Sequence, residues 1–256
     1  MKKIYASSSA FAWGQLVFTD SKAGCVRSIL LSANGVREGD IDIKHQIRGK
    51  LNEDLYEEKL KASGINYIKE HPITAKVPGY SNIIVSGRVD YLEHRERGDE
   101  IAELKSTESD SVKREVIIKG KPKVTHLAQA VSYMVMLKVP VAKLICTAYD
   151  NDNGTYVASK ERMFEITLDD AGRVCVDSTP SGFSVSDLYT HQILAARMIS
   201  EHRVGPRPKD HDAAFGSPCN FCVWKDACEA YDKGAIESTT DSFISYAKQF
   251  SKEKKQ

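Results

Sequence analysis

The stretch "GRVDYLEHRERGDEIAELKST", residues 87–107, decides how the rest of the chain is read. The segments 82–93 and 100–107 read as strands, joined by His94-Arg95-Glu96-Arg97-Gly98-Asp99, whose Gly98 suits a tight turn; the expectation is a β-hairpin. Side chains two apart on a strand share a face. Glu103 and Lys105 therefore point one way, while Ala102 and Leu104 point to the core. With the turn centred near Arg97-Gly98, Asp90 falls almost opposite Glu103 to Lys105 on the neighbouring strand, within reach of a shared cation. Hard divalent cations take oxygen ligands, and Asp90, Glu103 and the Leu104 carbonyl supply them; Lys105 is placed to hold and polarise a water. Glu-x-Lys by itself is an everyday exposed charge pair. Its weight comes from its surroundings.

On the N-terminal side, "IRGKLNEDLYEEKLKASG" (47–64) sets Leu51, Leu55, Tyr56, Lys59 and Leu60 at helical spacing and stops at Gly64. "TDSKAGCVRSILLS" (19–32) reads as an earlier helix, starting near Ser21 and ending before Asn34-Gly35. On the C-terminal side, a loop carrying Lys113, Arg114, Lys119, Lys121 and Lys123 leads into "VTHLAQAVSYMVMLK" (124–138), helical by its Leu127, Val131, Met134, Val135 and Leu137. The loop is either a grip for phosphates or a solvated charge run. Gln129 and Tyr133 stand one helical turn apart on that helix. A second hairpin follows, "AKLICTAYD" and "TYVASKERMFEITLD" turning at Asp152-Asn153-Gly154, and then a long amphipathic helix over 184–203 ending at Gly205-Pro206. From about Lys233 the sequence is rich in Ser, Thr and Lys and is expected to fray.

Of the six cysteines, Cys146 and Cys175 lie in strand-like surroundings and read as small core residues. Cys219-x2-Cys222-x5-Cys228 is a compact three-thiolate set, and Cys25 completes it if the N-terminal helix packs on the C-terminal loop. Thiolates so spaced suit Zn²⁺ or an iron–sulfur centre alike.

No run approaches the roughly 18 apolar residues that a membrane span needs, and the start lacks the continuous apolar stretch of a signal peptide; a cytoplasmic protein with no membrane partner is expected. A formal net charge of +1 excludes no nucleic-acid role, because a basic groove can sit on a neutral protein. No GxxxxGK[ST] occurs, so no ATPase motor is built in.

Gly-Arg-Val-Asp, a turn, Glu-x-Lys and then Gln-x-x-x-Tyr, in this order, resemble the RecB-type branch of the PD-(D/E)XK nucleases. One cysteine ahead of that core and three behind it resemble the small iron–sulfur exonucleases of that branch, above all the CRISPR-associated family, the fourth Cas protein. The resemblance implies an α/β, restriction-endonuclease-like core with a mixed central sheet flanked by helices, and a cluster region joining the N- and C-terminal ends of the chain. It implies one nuclease domain over 1–232, made of an N-terminal helical segment (1–64), the nuclease core (65–170) and a C-terminal helix with the cluster loop (183–232), followed by a polar tail over 233–256. It further implies a four-iron four-sulfur cluster on Cys25, Cys219, Cys222 and Cys228, with zinc as the alternative. Asp90, Glu103, Lys105, Gln129 and Tyr133 would carry catalysis on Mg or Mn. The family's usual His, in a G-x-x-x-H-E stretch, is missing here: Glu53 stands at that spacing from Gly49, and His45 precedes the glycine. Glu53 is therefore the expected further metal ligand.

The function so implied is hydrolysis of single-stranded or flapped DNA ends by a metal-dependent exonuclease, in CRISPR spacer acquisition beside an integrase complex. The rival readings are a non-cutting DNA-binding or scaffold subunit of an integrase or helicase complex, and a phage or host recombination exonuclease with no CRISPR link.

Overall fold

The structure, a computed structural model, describes residues 4–7, 25–36, 43–205 and 224–253. The chain divides into two compact units. The first gathers Met1–Asp40, Thr74–Ser86 and Ser186–Gln256, and the second Ile41–Ile73 and Gly87–Val185.

The second unit carries the hairpin. It opens with helix α2 (Ile43–Ala62), and strand β2 (Asn66–Val77) follows and pairs with β3 (Tyr80–Arg95). Strand β3 turns back into β4 (Gly98–Thr107) with Arg95 opposite Gly98, and Gly98 takes a φ of +112°. A short helix α3 (Asp110–Val112) runs into a π-helical turn (Lys113–Ile118), and helix α4 (Val124–Leu137) then carries the chain back. That crossover lets β5 (Val141–Asp152) lie parallel to β4, a pairing no short turn could make. The rest is antiparallel: β6 (Thr155–Leu168), β7 (Arg173–Val176) and β8 (Thr179–Ser184) follow in sequence order beyond β5. The second expected hairpin stands, with Asn153 and Gly154 both at positive φ, as a two-residue turn of right-handed twist demands.

Nine consecutive residues of β5, Val141 to Tyr149, are buried, because helices cover both faces of this stretch of the sheet. On one face Tyr56 and Leu60 of α2 pack with Tyr91, Ala102, Leu104 and Ile145. Ala102 and Leu104 do turn inward. Lys105 faces the other way, where it shares a cavity with Cys146 and with His126 of α4.

The buried row of α2 is Arg48, Asn52, Tyr56 and Leu60, whereas Leu51 from the expected apolar face is 38% exposed. Tyr56 and Leu60 of the expected face are buried, but the inner row continues through Arg48 and Asn52 instead of Leu51 and Leu55, and Arg48 reaches Glu108 at 2.9 Å and lies 5.4 Å from the Tyr156 ring centroid. Strand β2 has no counterpart among the expected elements, since Lys69, Glu70, His71 and Pro72 break any apolar alternation.

The first unit holds β1 (Ile4–Ser7), parallel to the start of β3, with helices α1 (Val26–Ala33), α5 (Val185–Ser200), α6 (Lys225–Asp232) and α7 (Thr240–Glu253). Helix α7 corrects the expected polar tail over 233–256. Thr239 caps it by accepting the Ser242 amide, and Phe243, Ile244 and Ala247 are buried; each large side chain contributes on the order of 1.5–3 kcal/mol. Arg27 of α1 is buried here, donating to the Gly205 carbonyl at 2.7 Å and to both Asp232 oxygens of α6 at 3.0 and 2.7 Å. Among the described residues no helix is long and apolar enough to cross a membrane.

Candidate active site

The antiparallel ladder of the hairpin ends at the pair Tyr91 and Ala102, so Asp90 is the next residue in register with Glu103. Beyond the ladder, Asp90 replaces the missing backbone partner: its Oδ2 accepts the Leu104 amide at 2.7 Å. This bond aims the half-buried carboxylate along the edge of β4. Glu103, only 1% exposed, accepts Lys105 Nζ on Oε1 at 2.5 Å, while its Oε2 is buried without a hydrogen-bond partner. The three groups expected to converge are thus together.

Their charges are unbalanced. Burial, and then the Glu103 carboxylate, push the Asp90 carboxyl up to about 7, against weaker pulls downward from Lys105 and the Leu104 amide. Burial works against the Lys105 ammonium, but Glu103 and Asp90 overcome it and hold its pKa above the ordinary lysine value. Two acids and one cation leave a net negative hole with an orphaned oxygen, and an unpaired buried carboxylate oxygen costs free energy that a divalent cation would recover. The residues present fit such an ion, and Asp90, Glu103 and the Leu104 carbonyl are its natural donors. Among the described residues no group of three or more His, Cys, Asp or Glu side chains is poised to hold a metal.

That absence concerns Glu53. Its carboxylate lies 3.2 Å from Lys69 Nζ, and its backbone oxygen accepts the Tyr91 hydroxyl at 3.1 Å. It adds to the negative field at Asp90 without joining it. His45 is exposed on the first turn of α2. On α4, Gln129 Nε2 donates to the Tyr133 hydroxyl at 2.9 Å, and Tyr133 is 1% exposed and lies within electrostatic reach of Lys105. The pair therefore belongs to the face that carries the site.

The basic loop is largely spoken for. Lys113 pairs with Asp150 at 2.6 Å, Lys119 with Glu115 at 2.7 Å, and Arg114 lies 3.7 Å from Glu115. Lys121 and Lys123 are exposed, and Lys123 stands at the N-cap of α4. Of the cysteines, Cys219 and Cys222 lie outside the described residues. Cys25, half-buried, precedes α1, and Cys228, buried, sits on α6. Arg27 ties these two helices together and also lies against the Cys228 thiol; burial opposes its charge, but Asp232 and Cys228 together raise its pKa.

Two features have no counterpart in the sequence reading. The first is a buried ionic network on the same hairpin. Glu93, 0% exposed, accepts from Tyr56, from Lys143 at 2.9 Å and from Arg95, and Glu100, 1% exposed, meets Lys143 at 2.6 Å and Arg97. Its signal in the sequence is Lys143, a lysine inside the most apolar strand of the chain. The second is His126, three residues before Gln129 and seven before Tyr133, hence on the same helical face.

No protein-family model matches the sequence, and no curated protein matches it. Solved structures do share its fold. A crystal structure named SSO0001 aligns at 14% identity over 90% of this chain and 88% of its own, with a TM-score of 0.51. The phage related exonuclease from Haemophilus somnus 129PT aligns at 13% identity over 78% of this chain and 96% of its own, at 0.50. The alkaline exonuclease LHK-Exo from Laribacter hongkongensis aligns at 14% identity over 77% and 88%, at 0.49. The first two show that the chain has the α/β fold on which an exonuclease is built.

Proposed function

We propose that the protein is a metal-dependent DNA exonuclease, in which Asp90, Glu103 and the Leu104 carbonyl hold Mg²⁺ or Mn²⁺. The observation that carries this is the under-compensated acid pair: an Asp90 carboxyl pushed up to about 7 and a buried Glu103 oxygen with no partner, beside one ammonium. A divalent ion bound there supplies Lewis-acid stabilisation of the pentavalent phosphate and a water of lowered pKa. Lys105, kept charged and fixed by Glu103, donates a hydrogen bond to the attacking water or to a non-bridging oxygen. Gln129 and Tyr133 position the strand from α4. The shared fold with a phage related exonuclease supports the nuclease class.

The finer reading is cleavage of single-stranded or flapped ends in CRISPR spacer acquisition, beside an integrase complex, and it draws on the cysteine set. Cys25, Cys219, Cys222 and Cys228 would hold a four-iron four-sulfur cluster, or zinc, that contributes to folding rather than to the chemical step. The Arg27 link between α1 and α6 supports a clamp of this kind. A recombination role for the same chemistry is separated by gene neighbourhood, and a non-cutting scaffold by cleavage itself. Purified protein should cut DNA ends with Mg²⁺ or Mn²⁺ and no ATP, and stop with chelator. Lys105→Ala should lower the rate about 10²–10³-fold. Parent-like cutting by that variant removes the site assignment.

A further inference from the structure

The N-terminal half of helix α2 is inside out. Arg48 and Asn52 lie buried on its inner row, while Ile43, Ile47 and Leu51 are 69%, 45% and 38% exposed. Arg48 turns inward to Glu108 and the Tyr156 ring, so the polar side of this half faces the protein and the apolar side faces out. Ile43, Ile47 and Leu51 recur at every fourth position and form one ridge along the helix, the kind that packs between the ridges of another helix. A single exposed apolar side chain needs no account. Three in one row, among the few large ones that the described residues expose, mark a contact surface.

The charges beside this ridge select its occupant. Lys44 and Lys50 precede Leu51 on the exposed side of α2, and Asp54 and Glu58 follow it. Further on, Lys59 and Lys61 are paired with Glu161 and Glu57. The surface therefore changes sign at its middle. A nucleic-acid strand meets repulsion over the acidic half. A second α2 laid antiparallel meets the opposite charge in both halves, whereas a parallel one meets its own charge. With a two-fold axis beside Leu51 and Asn52, Lys50 of each copy comes level with Asp54 of the other, and the two Leu51 side chains meet at the centre. Lys50 and Asp54 are both exposed and lie 2.7 Å apart within one helix, so each can be shared with the other copy.

We propose that this face of α2 is a self-complementary contact between two copies of the protein, antiparallel about Leu51, with Ile47 and Leu51 as its apolar centre and Lys50 and Asp54 as its crossed charges. One helix face is smaller than the roughly 800 Å² per partner of a standard interface, so the pairing is reversible and depends on concentration.

The test follows the mass of full-length protein by sedimentation equilibrium from about 1 to about 300 µM, a range that brackets micromolar association. The parent should rise from the mass of one chain toward that of two. Ile47→Asp should weaken association at least about tenfold, because it puts a charge into an apolar contact. Lys50→Asp and Asp54→Lys should each weaken self-association as well, since each sets like charges face to face. All three positions are exposed, so the variants keep the fold, which circular dichroism verifies. An equimolar mixture of Lys50→Asp and Asp54→Lys should associate again, because each variant meets opposite charges on the other. Neither variant regains its own ion pair within the helix in that mixture, so recovery reports the contact between copies alone. A parent that stays a single chain at every concentration overturns the proposal. So does association that Ile47→Asp leaves unchanged, or a mixture that associates no better than its two parts. If the parent stays single and Ile47→Asp weakens binding to DNA instead, the face belongs to DNA and the contact between copies is refuted.

Discussion

Two clusters of buried charge sit on the same hairpin, three residues apart on each strand, and they are built in opposite ways. Glu93 and Glu100 are surrounded by Lys143, Arg95, Arg97 and the Tyr56 hydroxyl. Burial works against both carboxylates, yet these partners hold both below the usual carboxylate range. Asp90 and Glu103 have one ammonium between them, and Asp90 is driven up to about 7. Cations match or outnumber acids in the first cluster, as fold-holding charge requires. In the second the acids are in excess, which destabilises the empty fold and is the condition for capturing a cation. A buried carboxylate alone therefore says little; the sign of its pKa shift separates the two roles.

The largest effects should come from breaking the two clusters in parallel. Glu93→Ala leaves the buried Lys143 with Glu100 alone and strips Arg95 and the Tyr56 hydroxyl of their close carboxylate, and should cost about 3–5 kcal/mol of unfolding free energy in urea. Asp90→Asn should do the reverse in metal-free protein. Its side-chain carbonyl can still accept the Leu104 amide while the repulsion with Glu103 is gone, so the variant should be more stable than the parent at pH 8. If both substitutions destabilise alike, the contrast between the clusters is wrong.

The same contrast predicts opposite responses to pH. The folded state keeps a proton on Asp90 up to about 7, whereas the unfolded chain loses it near the ordinary value of 3.8. Between those values the folded state binds more protons, so its stability falls as pH rises and levels off above about 7. Glu93 and Glu100 act with the other sign. Their contribution is present above the ordinary carboxylate range and is lost as pH falls through their depressed folded values. Denaturation curves of metal-free parent and Asp90→Asn should therefore coincide near pH 4 and separate progressively to pH 7. Mg²⁺ or Mn²⁺ affinity should rise about tenfold per pH unit below 7 and flatten above it, with proton release visible by calorimetry in buffers of different ionisation enthalpy. An affinity independent of pH from 5 to 7 would break the link between the shift and the metal.

Legibility follows how local the cause is. The two hairpins are readable because strand alternation and turn residues act over a few positions: Glu103 and Lys105 have to share a face, and Asp152-Asn153-Gly154 has to turn. Helix α4 is readable from its apolar period. What escapes depends on distant partners. Arg48 and Asn52 take the inner face of α2, Arg48 because Glu108 and Tyr156 lie across from it, and Lys143 tolerates burial only because two glutamates from another hairpin reach it. Helix α7 looks like a frayed tail because its apolar content is a few residues in a polar stretch, and the packing of Phe243 on Tyr231, 5.3 Å between ring centroids, is invisible in composition. The weak point of the site reading is likewise the residue whose placement is not local, Glu53.

The smallest expected effects concern that residue, and they sharpen the contrast rather than test it. Glu53 strengthens the negative field at Asp90, but its carboxylate is engaged by Lys69, which also bonds Glu57 at 3.0 Å. To join Asp90 and Glu103 on a cation, Glu53 must give up Lys69, and that exchange limits its net contribution. Glu53→Ala should therefore weaken Mn²⁺ binding by only about tenfold, in the range of residues that support a metal site from outside its inner ligands. Lys69→Ala should shift affinity the other way, because it frees the carboxylate and removes a competing positive charge. His45→Ala should change nothing, since the ring is exposed on the first turn of α2. Calorimetric titration of the three variants reads all of this at one pH. If Glu53→Ala and Lys69→Ala both bind Mn²⁺ like the parent, Glu53 is a surface acid and the Asp90–Glu103 pair captures its ion alone; if His45→Ala is the variant that loses affinity, the glycine-based alignment that selected Glu53 is out of register.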